Sequence, residues 1–304
     1  MSALASALAD YLGVRRALGY KLVDAGHVLA RFIAHLDTEG IETVTVATAL
    51  AWASETGRGT GVARRLQAIR GFALYLQALD PAHEVPPVGL VPDRSRRAVP
   101  HLYSDAEIVI LMAAARELEP TLRAVTTEAV IGLLAVTGMR IGEVLALNVA
   151  DIDWETGVAT VWLAKFNKSR HVPLAPTTVA ALVEYRRMSR LLAPAPATAA
   201  LFVSPRGRRL SYYGFATAFS GLADAIGVAA PAGRPPIHGL RHSFAVSTLL
   251  GWYRDGADVH ALLPRLSTYL GHVSPNSTYW YLSAAPELMA LAAERLDHVQ
   301  AAGR

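Results

Sequence analysis

The one strongly strand-like stretch of this chain is DIDWETGVATVWLAKFNKSRHVPL, residues 151–174. The β-branched and aromatic side chains that strands favour concentrate at Ile152 and Trp154, at residues 158–163 and at residues 171–174. Turn-forming residues separate these groups, so the spacing predicts a small antiparallel sheet. Because apolar residues recur at helical spacing on both sides of this stretch, the fold class we predict is mainly α with a small antiparallel β-sheet (α+β).

The first 80 residues contain helical patterns only. Their apolar positions predict four helices, at residues 3–17, 22–38, 46–54 and 60–78. In the last of these the apolar side chains share one face, whereas Arg64 and Arg70 lie on the other. We therefore expect a helical first domain, residues 1–80, that contacts a phosphate backbone through these two arginines.

Residues 81–103 differ in composition from what precedes and follows them. Prolines recur throughout the segment and leave little room for regular structure. Arg94, Arg96 and Arg97 give it a basic cluster, for which we also expect phosphate contacts. We interpret residues 81–103 as a basic, proline-rich linker between two domains.

The second domain, residues 104–304, begins at Ser104, where Ser-Asp-Ala-Glu has the form of a capping box. Gly138 is predicted to end a buried helix at residues 121–136, which places Arg140 in the turn before the next helix. Further helices are predicted at residues 177–192, 212–226, 240–253, 259–270 and 286–299.

Composition excludes several classes of function. The chain has 304 residues, a net charge of +4 and no cysteine, which rules out disulfides, thiol catalysis and cysteine-ligated zinc. Hydrophobic residues make up 52% and charged residues 18%, as expected of a folded protein. Neither a signal peptide nor an apolar run long enough to cross a bilayer is present, so we expect a cytoplasmic location without a membrane partner.

Attack on a phosphodiester without a metal needs a nucleophile and fixed cations. The pentavalent phosphorane gains negative charge, which donors around its non-bridging oxygens must stabilise. Arginine suits this task because its planar group grips two phosphate oxygens and stays charged. Arg140, Arg241, His238, His272 and the hydroxyl of Tyr281 supply these groups, so we predict no metal and no cofactor.

Three segments carry these residues in order: TGMRIGEVLAL at residues 137–147, HGLRHSFA at residues 238–245, and Leu-Gly-His at residues 270–272 with Tyr281 nine residues later. They resemble the two arginine boxes and the closing nucleophile motif of the tyrosine recombinases, the phage-integrase and Xer-like superfamily. The resemblance implies that residues 1–80 are a core-binding domain and residues 104–304 the catalytic domain.

By this resemblance Tyr281 attacks the scissile phosphate and forms a 3′-phosphotyrosyl link. Arg140, Arg241 and His238 would stabilise the phosphorane, with His272 as a further donor. Glu143 would orient Arg140. Tyr279 is the neighbouring alternative nucleophile, and the spacing from the closing histidine favours Tyr281.

The resemblance also implies that a lysine on the β-hairpin protonates the departing 5′-oxygen. Lys165 aligns with that position, although Ala164 and Phe166 flank it where the family usually has small residues; Lys168 is the alternative. Lys168 and Arg170 are otherwise expected to contact DNA.

The function we predict is site-specific DNA recombination, in a mobile-element integrase or transposase. The expected partner is double-stranded DNA, on which four protomers assemble, with the C-terminal helix at residues 286–299 docking on a neighbour. Two alternatives stay open: relaxation of supercoils in the manner of a type IB topoisomerase, and a catalytically silent DNA-binding accessory protein.

Overall fold

A computed structural model describes residues 2–55, 60–91, 101–162, 169–193, 198–228 and 237–272. These residues divide into two compact units, one before residue 99 and one from residue 99 onward, and each is described by itself. Within these ranges no helix combines the length and hydrophobicity that a bilayer crossing requires.

The first unit is helical throughout its described residues. Its helices are α1 (Ala3–Ala17), α2 (Val23–Thr38), α3 (Val46–Glu55) and α4 (Thr60–Leu79), which confirms the four predicted helices. Leu29, Phe32, Ile69 and Phe72 are fully buried between α2 and α4. Removing side chains of this size from water contributes about 1.5–3 kcal/mol each, so the apolar faces that predicted the helices also hold them together.

The second unit combines helices with a small sheet, as its sequence predicted. In chain order its elements are α5 (Asp105–Arg116), α6 (Thr121–Thr137), α7 (Ile141–Ala146), a 3-10 turn (Val149–Asp151), β1 (Ile152–Asp153), β2 (Val158–Trp162), β3 (Ser169–Pro173), α8 (Pro176–Leu192), α9 (Tyr212–Ala225), α10 (His238–Arg254) and α11 (Val259–Leu270). The helix predicted at residues 286–299 lies outside the described residues.

The three strands form one antiparallel sheet in the order β1-β2-β3. Ile152 pairs with Ala159, and Ala159 pairs with Val172 on the other side. All three of these side chains are buried, which sets the register because a slip by one residue would turn them to solvent. The sheet predicted from residues 151–174 is therefore confirmed over the strands described.

Helix α6 passes through the core and ends where the site begins. Val130, Ile131 and Leu134 are almost completely buried in it. The helix stops at Gly138, whose φ is 60°, and a Cβ at this position would lie 2.4 Å from the Phe244 ring. Only glycine meets both demands, so the predicted cap is confirmed and fixes the turn that leads to Arg140.

The N-terminus of α10 is held by the segment that precedes α5. The backbone N–H of Tyr103 donates to Ser243 Oγ at 2.6 Å, and the Ser243 hydroxyl donates to the Gly239 carbonyl at 3.0 Å. Gly239 packs so closely that a Cβ would lie 2.8 Å from the carbonyl oxygen of His101. These contacts fix the first turn of α10, on which His238 and Arg241 lie.

Candidate active site

Four segments of the second unit converge on one cluster of charged side chains. They are the turn from α6 to α7, strand β3, the first turn of α10 and the end of α11. The side chains that they bring together are Arg140, Glu143, Arg170, Arg241, His238 and His272. Five of these six were predicted to form the site or to support it; Arg170 was predicted as a DNA contact.

Arg140 stands at the N-terminus of α7 and is tied to Glu143 twice. Its backbone N–H donates to Glu143 Oε2 at 2.9 Å, and its Nη1 donates to Oε1 at 2.8 Å. Its Nη2 donates to the carbonyl of Gly271, at the end of α11, at 3.0 Å. The Arg140 side chain keeps 38% of its surface exposed, so it is held in place and still reachable from outside.

Arg170 approaches the same carboxylate from β3. Its Nη1 and Nη2 donate to Glu143 Oε1 and Oε2 at 3.0 and 2.6 Å, and its Nε donates to the carbonyl of Tyr269 at 2.8 Å. Its side chain is 9% exposed. The structure therefore buries the Arg170 side chain, which was predicted to contact DNA, among hydrogen-bond acceptors of the cluster.

The signal for this placement was present in the sequence as strand periodicity. Side chains two residues apart in a strand lie on the same face, and Val172 is an apolar residue expected to face the core. Arg170 shares the face of Val172, whereas the sequence prediction grouped Arg170 with Lys168 as a DNA contact. An arginine on the buried face of a strand indicates an internal partner.

Burial and the two arginines act on the Glu143 carboxyl in opposite directions. Burial alone would raise its pKa, but hydrogen bonds from Arg170 and Arg140 and the positive charge of Arg170 outweigh it and lower the pKa to about 2. Glu143 is consequently ionised at neutral pH. It neutralises part of the cluster and orients the guanidinium groups on either side.

Arg241 is the most deeply placed cation of the cluster, with 2% of its surface exposed. Its Nη1 donates to the Gly138 carbonyl at 2.8 Å and its Nη2 to the Leu270 carbonyl at 2.7 Å. Both acceptors are at the C-terminal ends of helices, α6 and α11, where the backbone dipole favours a positive charge. Arg241 thereby fixes the two helix ends from which Arg140 and His272 follow.

Both predicted histidines have lowered pKa values. Burial, followed by the charges of Arg241 and Arg140, lowers the pKa of His272 to about 4. Partial desolvation and the same two arginines lower the pKa of His238, which is otherwise exposed at the start of α10. At neutral pH both imidazoles are neutral, and each has one N–H to donate.

The cluster combines guanidinium groups and neutral imidazoles around one carboxylate that is already paired. Such a set of donors can stabilise a phosphate and its more negative phosphorane. Among the described residues no group of three or more histidine, aspartate or glutamate side chains could hold a metal ion. The donor chemistry of the described site is therefore that of an anion-binding site built from arginine and histidine.

Several predicted residues lie outside the described ranges. They are the two candidate nucleophiles, the two lysines of the hairpin and the three arginines of the linker: Tyr281, Tyr279, Lys165, Lys168, Arg94, Arg96 and Arg97. In the first unit Arg64 is exposed on α4, as its helical face predicted. Arg70 is half-buried and donates to the carbonyl of Pro86.

Sequence comparison supplies independent findings. The family model described as the phage integrase family matches residues 103–287. The protein y4rB of Sinorhizobium fredii, provisionally named an integrase/recombinase, is 40% identical over 98% of this chain and 98% of its own length. The tyrosine recombinase XerC of Roseiflexus sp. is 32% identical, over 72% of this chain and 67% of that protein.

Solved structures with the same fold are similar over nearly the whole chain. The Tn1549 transposon integrase, in a complex with transposon right end DNA, has a TM-score of 0.67 at 17% identity and covers 96% of this chain and 99% of its own. The XerA recombinase has a TM-score of 0.52 at 23% identity and covers 95% of this chain and 96% of its own. The predicted fold class is thereby confirmed.

Proposed function

This chain belongs to the phage integrase family of tyrosine recombinases, and from that premise we propose how it cuts and rejoins DNA. It is a site-specific recombinase that acts on double-stranded DNA. We propose that it serves a mobile element, as an integrase or transposase. The observation that carries the residue-level mechanism is the cluster of Arg140, Arg241, His238 and His272, which gathers donors for one phosphate at the end of α11.

In the first step the Tyr281 hydroxyl attacks the scissile phosphorus. A bond forms between the phenolic oxygen and phosphorus as the phenol gives up its proton to solvent, and the bond from phosphorus to the 5′-oxygen breaks. The electron pair leaves with the 5′-oxygen, which is protonated, and the 3′ end stays esterified to tyrosine. Because the ester conserves the bond energy, a second 5′-hydroxyl can displace the tyrosine without ATP.

Arg140 and Arg241 hold the non-bridging oxygens while the charge on phosphorus rises. Arg241 is fixed by two helix-terminal carbonyls and Arg140 by Glu143 and Gly271, so neither guanidinium has to reorganise during the reaction. Neutral His238 and His272 donate further hydrogen bonds. Glu143 orients Arg140 and does not react.

Lys165 protonates the departing 5′-oxygen in this scheme, with Lys168 as the alternative. Both occupy residues 163–168, between β2 and β3, and β3 is anchored at the cluster by Arg170. The anchored strand that comes directly after these residues in the sequence supports this assignment. Replacement of each lysine, followed by assay of cleavage, distinguishes the two.

Outside the catalytic centre we assign DNA contacts to residues of the first domain and the linker: Arg64, Arg70, Arg94, Arg96 and Arg97. The exposure of Arg64 supports this role directly. Arg70, on α4, also donates a hydrogen bond to the carbonyl of Pro86. Strand exchange joins two duplexes, so we propose four protomers on DNA in the cytoplasm, with residues 286–299 of each docking on a neighbour.

The test is formation of a covalent adduct. Duplexes selected from a random pool by binding to the full chain provide the candidate core site, and a nick beside the cleavage position traps the intermediate. With a chelator present, the wild type should yield a denaturation-resistant protein–DNA adduct and Tyr281→Phe should yield none. Tyr279→Phe is the matched control and should keep the activity.

Three outcomes would contradict this scheme. An adduct that persists in Tyr281→Phe and disappears in Tyr279→Phe would reassign the nucleophile. A requirement for a divalent metal would refute the metal-free mechanism. Relaxation of supercoiled plasmid without any preferred site would indicate a topoisomerase.

A further inference from the structure

We propose that Arg170 is a positioning residue of the recombination reaction, which acts through Glu143 to hold Arg140 against the scissile phosphate. The inference rests on the proposed role of Arg140 and adds a residue that was expected to touch DNA instead. It depends on the three hydrogen bonds that the Arg170 side chain donates and on its burial.

The bonding pattern makes Glu143 the shared partner of two arginines. Arg170 occupies both carboxylate oxygens, and Arg140 uses the same two oxygens through its backbone N–H and its Nη1. A carboxylate held by one arginine alone could rotate about its side-chain bonds. With Arg170 in place the carboxylate plane is fixed, and the direction of the Arg140 guanidinium is fixed with it.

The same side chain joins the site to the end of α11. Arg170 Nε bonds to the Tyr269 carbonyl, and Arg140 Nη2 bonds to the Gly271 carbonyl two residues later. Gly271 has a φ of 67°, and a Cβ there would lie 3.0 Å from Arg170 Nη1. The absent side chain leaves the space through which Arg170 reaches the carboxylate.

A phosphate contact is the competing role for Arg170, and the geometry opposes it. Arg170 differs from Arg241 in its acceptors, because both of its terminal nitrogens donate to the buried Glu143 carboxylate, whereas those of Arg241 donate to backbone carbonyls. The three nitrogens of Arg170 already donate to a carboxylate and a carbonyl. Binding a phosphate would require breaking a buried, doubly hydrogen-bonded ion pair, which is strongly unfavourable.

The experiment measures the rate of adduct formation at saturating nicked DNA, together with the DNA dissociation constant at several salt concentrations. Arg170→Ala should slow the rate about 100-fold, as expected when a reacting group is displaced by about 1 Å. The dissociation constant and its salt dependence should match the wild type. Arg170→Lys should stay close to the alanine variant, because one ammonium cannot span both oxygens and a carbonyl.

Arg209→Ala is the matched control. Arg209 also donates to backbone carbonyls of the second unit, those of Leu145 and Leu147, but it forms no hydrogen bond or ion pair with a catalytic group in the part of the chain that the structure describes. Its loss should lower the thermal unfolding midpoint without slowing the reaction at saturating DNA. If Arg170→Ala does not fold, Arg170→Lys is compared with Arg209→Ala and wild type instead, because it keeps the positive charge beside Glu143.

Two further measurements test whether Arg170 acts through Glu143 and Arg140. If Arg170 acts through Glu143, the double variant with Glu143→Gln and Arg170→Ala should react no more slowly than the slower single variant. A substrate with sulfur as the 5′ leaving atom needs no proton donor, because a thiol is far more acidic than an alcohol. Arg170→Ala should stay slow on this substrate, since its defect lies at Arg140.

Each opposite result overturns the inference. Arg170 would be a phosphate contact if Arg170→Ala kept the wild-type rate of adduct formation at saturating DNA while the salt dependence of its DNA dissociation constant corresponded to about one released ion fewer. If Arg170→Ala and Arg209→Ala formed adduct at the same rate, Arg170 would have only a structural role. If Arg170→Ala reached the wild-type rate on the sulfur substrate, its defect would lie in protonation of the leaving oxygen by the lysine and not at Arg140. A wild type that forms no adduct would refute the proposed function itself.

Discussion

Within the described residues, Glu143 supplies the only carboxylate of the catalytic cluster. Replacing it by glutamine removes this negative charge and keeps the shape of the side chain. The carboxylate accepts four hydrogen bonds, two from Arg140 and two from Arg170. An amide has one oxygen, so its nitrogen would face N–H donors. Two buried or half-buried arginines would then lie side by side without this counter-charge.

The pKa of Glu143 gives the size of the effect. The surroundings lower it from its usual 4.5 to about 2. At about 1.4 kcal/mol for each pKa unit, ionised Glu143 favours the folded state by about 3 kcal/mol. Because the folded pKa is the lower one, this stabilisation is complete above about pH 4.5 and is lost as the pH falls towards 2.

Chemical denaturation of the full chain tests this expectation. At pH 7 Glu143→Gln should lower the free energy of unfolding by about 3 kcal/mol. The difference from wild type should narrow steadily below about pH 4.5, since the wild-type carboxylate is then protonated in the unfolded state. Adduct formation should slow as well, because Arg140 loses its orientation.

Glu184→Gln is the matched control. Glu184 pairs with Arg187 at the same three-residue spacing in α8, but both side chains are more than half exposed. Solvent screens such pairs, so this variant should be close to wild type in stability and in rate. If Glu143→Gln were as stable as Glu184→Gln at pH 7, or if its deficit did not depend on pH, the assigned role of the carboxylate would be wrong.

Two further outcomes follow from close packing and from burial. Gly239→Ala would place a Cβ 2.7 Å from the Tyr103 ring, so thermal denaturation should show a stability lower by about 1–3 kcal/mol; an unchanged midpoint would contradict the packing. The pKa of His272 is lowered to about 4, so the unfolded state takes up its proton first and the wild type should lose stability from pH 6.5 down to 4. Denaturation measured across that range should show no such loss for His272→Gln. If the difference in free energy of unfolding between wild type and variant stayed constant with pH, this expectation would be wrong.

Local rules predicted most of the architecture. The capping box at Ser104 is present, with its hydroxyl accepting from the Glu107 N–H and the Glu107 carboxylate accepting from the Ser104 N–H. Gly138 adopts the left-handed conformation that ends a helix. Periodicity located the helices and strands because each signal lies within a few turns or one strand of sequence. Most ends were therefore correct to within one or two residues.

The partners of the site residues could not be derived in this way. Arg170 and Glu143 are 27 positions apart, and although strand periodicity indicates an internal partner for Arg170, no local signal identifies that partner as Glu143. The basic cluster around Arg170 suggested an exposed, DNA-contacting residue, whereas tertiary packing buried it. Motif resemblance named Arg140 and Arg241, but the carbonyls that orient them became visible only with the helix ends in place.

The hydrogen bonds that shape the cluster join residues far apart in the chain. Arg140 reaches the Gly271 carbonyl 131 positions away, and Arg170 reaches the Tyr269 carbonyl 99 positions away. A chain still emerging from the ribosome cannot make these contacts until α11 has been synthesised and has docked. Incomplete translation products that end before α11 consequently lack the contacts that orient Arg140 and Arg170.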